Sequence, residues 1–136
     1  MTTLSLITSQ SLLDLHSAWK VALPWIKSAL DRGGRFDPED IEARVLCGTM
    51  QLWIAREGSE VKAVGVTEIL YYPHIRVLSI VILTGEDRDM WLHHVSALED
   101  YGRQHKCQRI ESWARPGWKK ILRDWSHTHS LLEKAL

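Results

Sequence analysis

The chain has 136 residues, of which 45% are hydrophobic and 25% are charged, a balance typical of a folded domain. Its zero formal net charge argues against a globally basic nucleic-acid-binding protein, although a local basic patch is compatible with it. No apolar run reaches the roughly 18–20 residues that a membrane span needs. The first residues lack the charged and long apolar regions of a secretory signal, so none is expected, and the two distant cysteines, Cys47 and Cys107, indicate no disulfide framework. We therefore expect one domain over 1–136, in a reducing compartment.

The first part of the chain has the apolar spacing of helices. A short strand is expected over 4–8, and a helix follows it. Pro24 is predicted to end or kink this helix, or to begin a second one, because its ring fits only the first turn of a helix. The pair Asp37-Pro38 predicts a further helix start, since Asp caps helices and Pro suits their first turn, and Gly48 is expected to end that helix.

After Gly48 the pattern changes to that of strands. Residues 51–56 and 61–70 are typical of a hairpin, and 76–83 form the apolar run of a strand buried on both faces. The elements expected next are an amphipathic helix (89–105), a strand (109–113), a short helix from Pro116 and a closing strand (129–134). The order β-α-α-β-β-β-α-β-α-β predicts a mixed α/β sheet covered by helices. In it, 76–83 and 109–113 are parallel because a helix connects them.

This order resembles the GNAT acetyltransferase fold over essentially the whole chain. The motifs are QLWIAR at 51–56 with VGVTEI at 64–69, similar to the family's central hairpin, and 115–122 with 131–134, similar to its last helix and strand. The details are most similar to small GNAT-fold proteins of tailed phages and prophages, whose genes often lie among those for virion assembly. The resemblance implies a virion-associated structural or assembly component, in the virion or host cytoplasm and not secreted. The alternative that it implies is an acetyl-CoA-dependent N-acetyltransferase acting on an amine.

The loop that would hold the cofactor departs from the family pattern. In active members, a glycine-rich loop before the third helix grips the pyrophosphate of acetyl-CoA through free backbone N–H groups. Here residues 84–89 contain one glycine and three carboxylates, which are expected to cap the helix themselves and to repel an anion. We therefore expect no cofactor, or weakly bound acetyl-CoA. If acetyl-CoA binds, the resemblance implies contacts with Leu83, Thr84, Gly85 and Arg88.

Two residues are candidates for proton transfer if the chain is an enzyme, which the sequence leaves open. Glu68, near the end of a central strand with apolar neighbours, is the candidate base, because such surroundings raise the pKa of a carboxyl group. A solvated carboxylate on an alternating strand is the simpler interpretation. The Tyr that many family members place in the last helix has no counterpart near Leu122. His127 is then the candidate proton donor, or else a polar loop residue.

The seven Trp residues are candidates for both core and interface. At least one of Trp25, Trp53 and Trp113 is expected to be exposed and to be covered by another virion protein or by a second copy of the chain.

A basic cluster near the last helix comprises Arg115, Lys119, Lys120 and Arg123. It is by default a solvated face, and as an interface it would meet an acidic neighbour, a CoA phosphate or, weakly, nucleic acid. No set of His, Cys and carboxylate residues has the spacing of a metal site, so no metal is expected.

Overall fold

The computed structural model of the chain describes residues 2–7, 12–31, 35–114 and 116–136. Its main elements are β1 (Thr3–Ile7), α1 (Leu12–Leu30), α2 (Pro38–Cys47), β2 (Met50–Glu57), β3 (Glu60–Tyr71), β4 (Arg76–Gly85), α3 (Val95–Gln104) and β5 (Arg109–Ser112). Short 3₁₀ turns occupy Arg88–Met90, Leu92–His94 and Pro116–Lys120.

The five strands form one mixed sheet in the order β1-β2-β3-β4-β5. Neighbouring strands are antiparallel from β1 to β4, and β5 runs parallel to β4, with Val77 opposite Arg109 and Ile80 opposite Ser112. The predicted mixed sheet and its parallel pair are therefore confirmed. The connection through α3 places that helix on one face of the sheet.

The largest apolar core lies between the sheet and the pair α1 and α2. It includes the fully buried side chains of Ile26 in α1, Ile41 in α2, and Leu52 and Val64 in the sheet. Because successive strand residues point to opposite faces, Trp53 lies on the other face, where it packs with Leu98 of α3. Both faces of the central strands are therefore covered, as the apolar run in β4 predicted.

Pro24 does not end the first helix, which runs unbroken through it. Its ring is exposed, and so is Lys20, whose carbonyl loses its hydrogen-bond donor at position 24. Exposure of both residues places that carbonyl on the solvent side of the helix, where water can replace the missing N–H. The Asp37-Pro38 start is confirmed, with Pro38 as the first helical residue and the Asp37 N–H donating to Asp40 Oδ2 at 2.9 Å.

The second half of the chain differs from the prediction at two places. The helix expected over 89–105 begins only at Val95, after two 3₁₀ turns, because Trp91 turns into the core between them. The last predicted helix and strand are also absent: Pro116–Lys120 is a 3₁₀ turn, and 129–134 forms no strand. No backbone hydrogen bond to β5 is found for 129–134, and Leu132 is 92% exposed.

Within the described ranges, no helix is both long and apolar enough to cross a membrane. Arg115 of the basic cluster lies outside the described residues, as does Thr8 of the predicted first strand.

Candidate functional site

Strands β4 and β5 stop pairing halfway along β4. Their pairing ends at Ile80 opposite Ser112, while β4 continues for five more residues, to Gly85. Over Val81–Gly85, β4 is bonded to β3 on one side only, and within the part of the chain that the structure describes no strand lies on the other side. The backbone groups on that side are available to a ligand. We call this gap the slot.

A β-bulge lies at the closed end of the slot. The register of β3 with β4 passes from Val66 opposite Ile82 to Thr67 opposite Ile80, which leaves Val81 as the extra residue. Bulges bend a strand and are common next to functional sites. Here the bend coincides with the point where β5 leaves β4, so the bulge accounts for the parting of the two strands.

Apolar side chains line the slot on the α3 face. Leu83 packs in the clusters formed by Trp53 and Trp91, and Trp125 of the C-terminal segment packs in the Trp53 cluster beside Ile110. A cavity of about 20 Å³, the space of roughly one water molecule, remains between the sheet and α3. The wall of the slot is therefore largely apolar, and an apolar wall strengthens any polar contact made to the β4 backbone.

The loop after β4, residues 84–89, is held by a lysine from the neighbouring hairpin. Lys62 is the extra residue of a second bulge, between Ala55 opposite Ala63 and Arg56 opposite Val61. Its Nζ lies 3.6 Å from Asp87 and 3.3 Å from Glu60. The pKa of Lys62 is raised, chiefly by the hydrogen bond with Glu60, and the Asp87 charge adds to the effect. Asp87 therefore pairs with a cation, and the expectation that it caps the following turn by its side chain is wrong.

The same loop contacts Trp91. The Trp91 Nε1–H donates to the Glu86 carbonyl at 2.8 Å, and the Glu86 N–H donates to the Lys62 carbonyl at 2.9 Å. The helix that would point its N-terminus at a pyrophosphate begins only at Val95. The loop thus makes its hydrogen bonds and its ion pair to Lys62 and Trp91 of the same domain. Its remaining charged groups are the exposed carboxylates of Glu86 and Asp89 and the exposed guanidinium of Arg88.

The packing around residue 85 leaves no room for a side chain, so this position requires glycine. A Cβ at Gly85 would lie 2.7 Å from the Lys62 carbonyl oxygen and 2.8 Å from both Ala63 Cβ and Trp91 Nε1. We expect Gly85→Ala to lower the free energy of unfolding by about 1–3 kcal/mol, because backbone atoms must shift. Urea unfolding measures the effect. Gly117→Ala is the control, since nothing lies within 4 Å of a Cβ there; equal stability of the two variants would contradict the packing described.

A polar chain of buried side-chain hydrogen bonds joins β2 to β3. It lies in the cross-strand row of residues that reaches the closed end of the slot. The Trp53 Nε1–H donates to Thr67 Oγ1 at 2.9 Å, and the Thr67 hydroxyl donates to Gln51 Oε1 at 2.8 Å. The direction of both bonds is fixed, because an indole can only donate and the Thr67 hydroxyl must then pass its hydrogen onward. This chain orients the Trp53 ring against α3, where Tyr101 meets it edge-on at 5.3 Å.

Glu68, the candidate base, lies on the face of the sheet opposite to these hydrogen-bonded side chains. It is opposite Met50, which is in the α1–α2 core, and cross-strand partners share a face. Its Oε2 accepts a hydrogen bond from Arg44 Nη1 at 3.1 Å, so the surroundings expected to be apolar contain a guanidinium. Glu68 is also opposite Ser79, one residue before the last β4–β5 pair, so it lies near the closed end of the slot. Its role as a base stays a prediction.

The other candidates are distributed unevenly around the slot. Leu83 and Thr84 are half-buried along its β4 side, whereas Arg88 is exposed and holds its guanidinium 5.9 Å from the centre of the Trp118 ring. His127 is exposed in the C-terminal segment, and no described contact joins it to Glu68. Three of the four cofactor candidates, Leu83, Thr84 and Gly85, therefore lie on β4 at the slot.

The three Trp residues proposed for an interface have three different environments. Trp113, directly after β5, is 68% exposed, whereas Trp53 is 6% exposed and Trp25 is half-buried against the α1–α2 core. Trp53 as a surface anchor is a wrong expectation, because its ring is enclosed and its N–H is bonded inside the fold. Lys119, Lys120 and Arg123 are exposed, and whether a partner covers them or Trp113 stays a prediction.

A second concavity lies away from the slot, between α1 and α2. It measures about 270 Å³ and is lined mainly by Leu15, Trp19, Val45 and Leu46. Among the residues described, no group of three His, Cys, Asp or Glu side chains is placed to hold a metal ion.

Sequence reasoning missed the residues that shape the slot. Lys62 and Val81 owe their positions to bulges, which depend on pairing between strands and leave no mark in one strand's pattern. Thr67 offered a signal, since a polar residue in a central, otherwise apolar strand needs a buried partner.

No protein-family model matches the sequence, and no curated protein matches it. The fold does match solved acetyltransferases. A ribosomal-protein-alanine N-acetyltransferase from Brucella melitensis biovar Abortus 2308 gives a TM-score of 0.70 at 13% identity, covering 100% of this chain and 99% of the other. An aminoglycoside acetyltransferase from an uncultured soil metagenomic sample, in complex with sisomicin, gives 0.68 at 9% identity, with 99% and 95% covered. A "predicted acetyltransferase" from Clostridium acetobutylicum, with acetyl-CoA, gives 0.65 at 16% identity, with 99% and 96% covered. The chain therefore has the GNAT acetyltransferase fold.

Proposed function

We propose that this protein is an N-acetyltransferase that takes its acetyl group from acetyl-CoA and transfers it to an amine. The observation that carries the proposal is the slot, where β4 continues past the end of β5 with one edge unpaired. The fold matches to acetyltransferases, one of them with acetyl-CoA, agree with it.

The residues of the slot fit one end of acetyl-CoA and not the other. The pantetheine arm is extended and carries amides, so it can bond to the open edge of β4 as an added strand would, with Leu83 providing an apolar wall. The pyrophosphate is a poor fit for the loop 84–89, where Glu86 and Asp89 present negative charge and Lys62 is already paired with Asp87. The protein would thus hold the donor mainly by its thioester end.

The chemistry requires the amine to lose a proton as its nitrogen bonds to the acetyl carbon, and the thiolate that leaves as the C–S bond breaks to gain one. Acetyl-CoA would supply the activated acetyl group as a thioester. In the proposal, the β4 edge orients the donor, and the rings of Trp53 and Trp125 exclude water. Glu68 is the proposed base, available once Arg44, whose side chain is 48% exposed, swings away. His127 is the proposed proton donor to the departing thiolate.

An acetylation assay tests the proposal. Incubation with millimolar acetyl-CoA and a panel of amines, including an Ala-initiated peptide and an aminoglycoside, is expected to release free thiol with an amine. Because the pyrophosphate grip is weak, we expect an acetyl-CoA Kd of about 100 μM or more, equivalent to roughly −5 kcal/mol. Glu68→Gln should lower kcat by about 10² or more, whereas Glu39→Gln, an exposed control on α2, should leave it unchanged.

Two outcomes would contradict the proposal. One is the absence of transfer to every amine at millimolar acetyl-CoA. The other is a kcat that Glu39→Gln lowers as much as Glu68→Gln does, since the effect would then not concern the slot.

A virion-associated assembly role is the second candidate. One observation favours it, the 68% exposure of Trp113 beside the slot. The matched acetyltransferases lend it no support. Detection of the protein in purified phage particles would favour this role, and its absence from them would leave acetyl transfer as the remaining candidate.

A further inference from the structure

Two loops meet at the end of the sheet opposite the mouth of the slot. They are the turn between β3 and β4 and the loop between α3 and β5. The Arg76 N–H donates to Gln108 Oε1 at 2.7 Å, and the Gln108 N–H donates to the Arg76 carbonyl at 2.8 Å. Arg76 Nη1 also donates to the His105 carbonyl at 2.8 Å. Three hydrogen bonds thus hold the two loops as one surface.

This surface carries positive charge and no carboxylate of its own. Its cations are Arg76, Arg103, Lys106 and Arg109, and neither 69–85 nor 101–110 contains Asp or Glu. The adjoining Asp100 accepts from Arg103 at 2.8 Å, an exposed pair that offsets one of the four charges. In a chain of zero net charge, this end is therefore a local cationic patch.

The same surface exposes aromatic rings. Tyr71 is 71% exposed and Tyr72 is 51% exposed. The Arg76 guanidinium lies 4.8 Å from the centre of the Tyr71 ring, which holds that ring in place while leaving most of it accessible. The exposed His105 ring lies 4.2 Å from that of Tyr101. Cations and planar rings are thus interleaved on one surface.

We propose that this tyrosine–arginine surface (Tyr71, Tyr72, Arg76, His105, Lys106 and Arg109) binds single-stranded nucleic acid. Exposed rings stack on unpaired bases, and cations beside them neutralise the phosphates. An acidic peptide would use the cations but has no need of two exposed tyrosines. The surface is distinct from the slot, because β4 has ten residues between Arg76 and Gly85 and so spans about 30 Å.

Fluorescence anisotropy with labelled dT12 and rU12 tests the proposal. We expect binding of both strands, or of the one type that is its natural ligand. The slope of log K against log salt should be about −2 to −3, from roughly 0.7 per neutralised phosphate. Tyr71→Ala combined with Tyr72→Ala should weaken binding about tenfold or more, since stacking contributes strongly for each base. Lys106→Ala with Arg109→Ala should reduce the slope.

The matched control lies in the other basic cluster of the chain. The triple variant Lys119→Ala, Lys120→Ala and Arg123→Ala removes three exposed cations elsewhere and should leave binding unchanged. All the substituted side chains are exposed, and circular dichroism confirms that each variant is folded. The proposal is wrong if neither strand binds at 50 mM salt, if the triple variant weakens binding as much as the tyrosine variant, or if a polyglutamate peptide competes as well as unlabelled dT12.

Discussion

Replacing Thr67 by Val is expected to lower the free energy of unfolding by about 2–4 kcal/mol. The substitution keeps the shape of the side chain and removes its hydroxyl, which is fully buried between Trp53 and Gln51. Both neighbours then lose their partner, and each unsatisfied buried polar group costs about 1–3 kcal/mol. Since Thr67 is opposite Ile80, where β4 and β5 part, the same loss should loosen the closed end of the slot.

Urea unfolding of Thr67→Val measures this cost, and Thr49→Val is the matched control. The Thr49 hydroxyl also donates a hydrogen bond, to the Arg44 carbonyl at 3.2 Å, but at an exposed site where water replaces it. The control should cost about 0.5 kcal/mol or less. A Thr67→Val variant as stable as the control would show that the polar chain contributes nothing to the fold.

Reversing the charge of the loop after β4 is expected to tighten acetyl-CoA binding about tenfold or more. In the double variant Glu86→Lys with Asp89→Lys, two exposed carboxylates are replaced by ammonium groups. Each charge-assisted contact with a phosphate contributes about 1.5–3 kcal/mol, reduced here by solvent screening. Calorimetric titration measures the change, which should shrink as salt is raised.

Two controls isolate the pyrophosphate. Acetyl-pantetheine, which lacks it, should bind the double variant and the natural protein equally. The variant Asp31→Lys with Glu39→Lys makes the same change in net charge directly after α1 and on α2, and should not tighten acetyl-CoA binding. If the loop variant fails to tighten acetyl-CoA binding, or tightens acetyl-pantetheine binding equally, the loop does not face the pyrophosphate.

The layered architecture could be predicted from the sequence because it depends on hydrophobic periodicity. The apolar run in β4 requires cover on both faces, and α1, α2 and α3 provide it. A strand, a helix and a strand in succession give a parallel pair, as found for β4 and β5.

The slot itself could not be predicted, because it depends on where two strands stop pairing. The bulge at Val81 and the pairing limit at Ser112 are properties of register between strands. Glu68 was identified by residue type and position, but the sequence could not reveal that a helix elsewhere directs Arg44 at it. The tyrosine–arginine surface likewise arises from two loops that are distant in the chain.

The C-terminal segment shows how local pattern can mislead. The resemblance of 131–134 to a last strand predicted a closing strand over 129–134, yet strands form only where a partner edge is reached. Trp118 and Trp125 pack on the α3 face, and Glu133 lies 3.7 Å from Arg35 near the start of α2. These side-chain contacts hold the segment, which makes no backbone hydrogen bond to β5 over 129–134.

The measurement that tests the central claim most directly is the mapping of acetyl-CoA on the backbone amides by NMR. If the slot holds the thioester end of the donor, the largest shifts on titration should fall at Val81–Gly85, and acetyl-pantetheine should produce the same pattern. Shifts confined to the groove between α1 and α2, at Leu15, Trp19 and Val45, would contradict the account. So would the absence of any shift at millimolar donor.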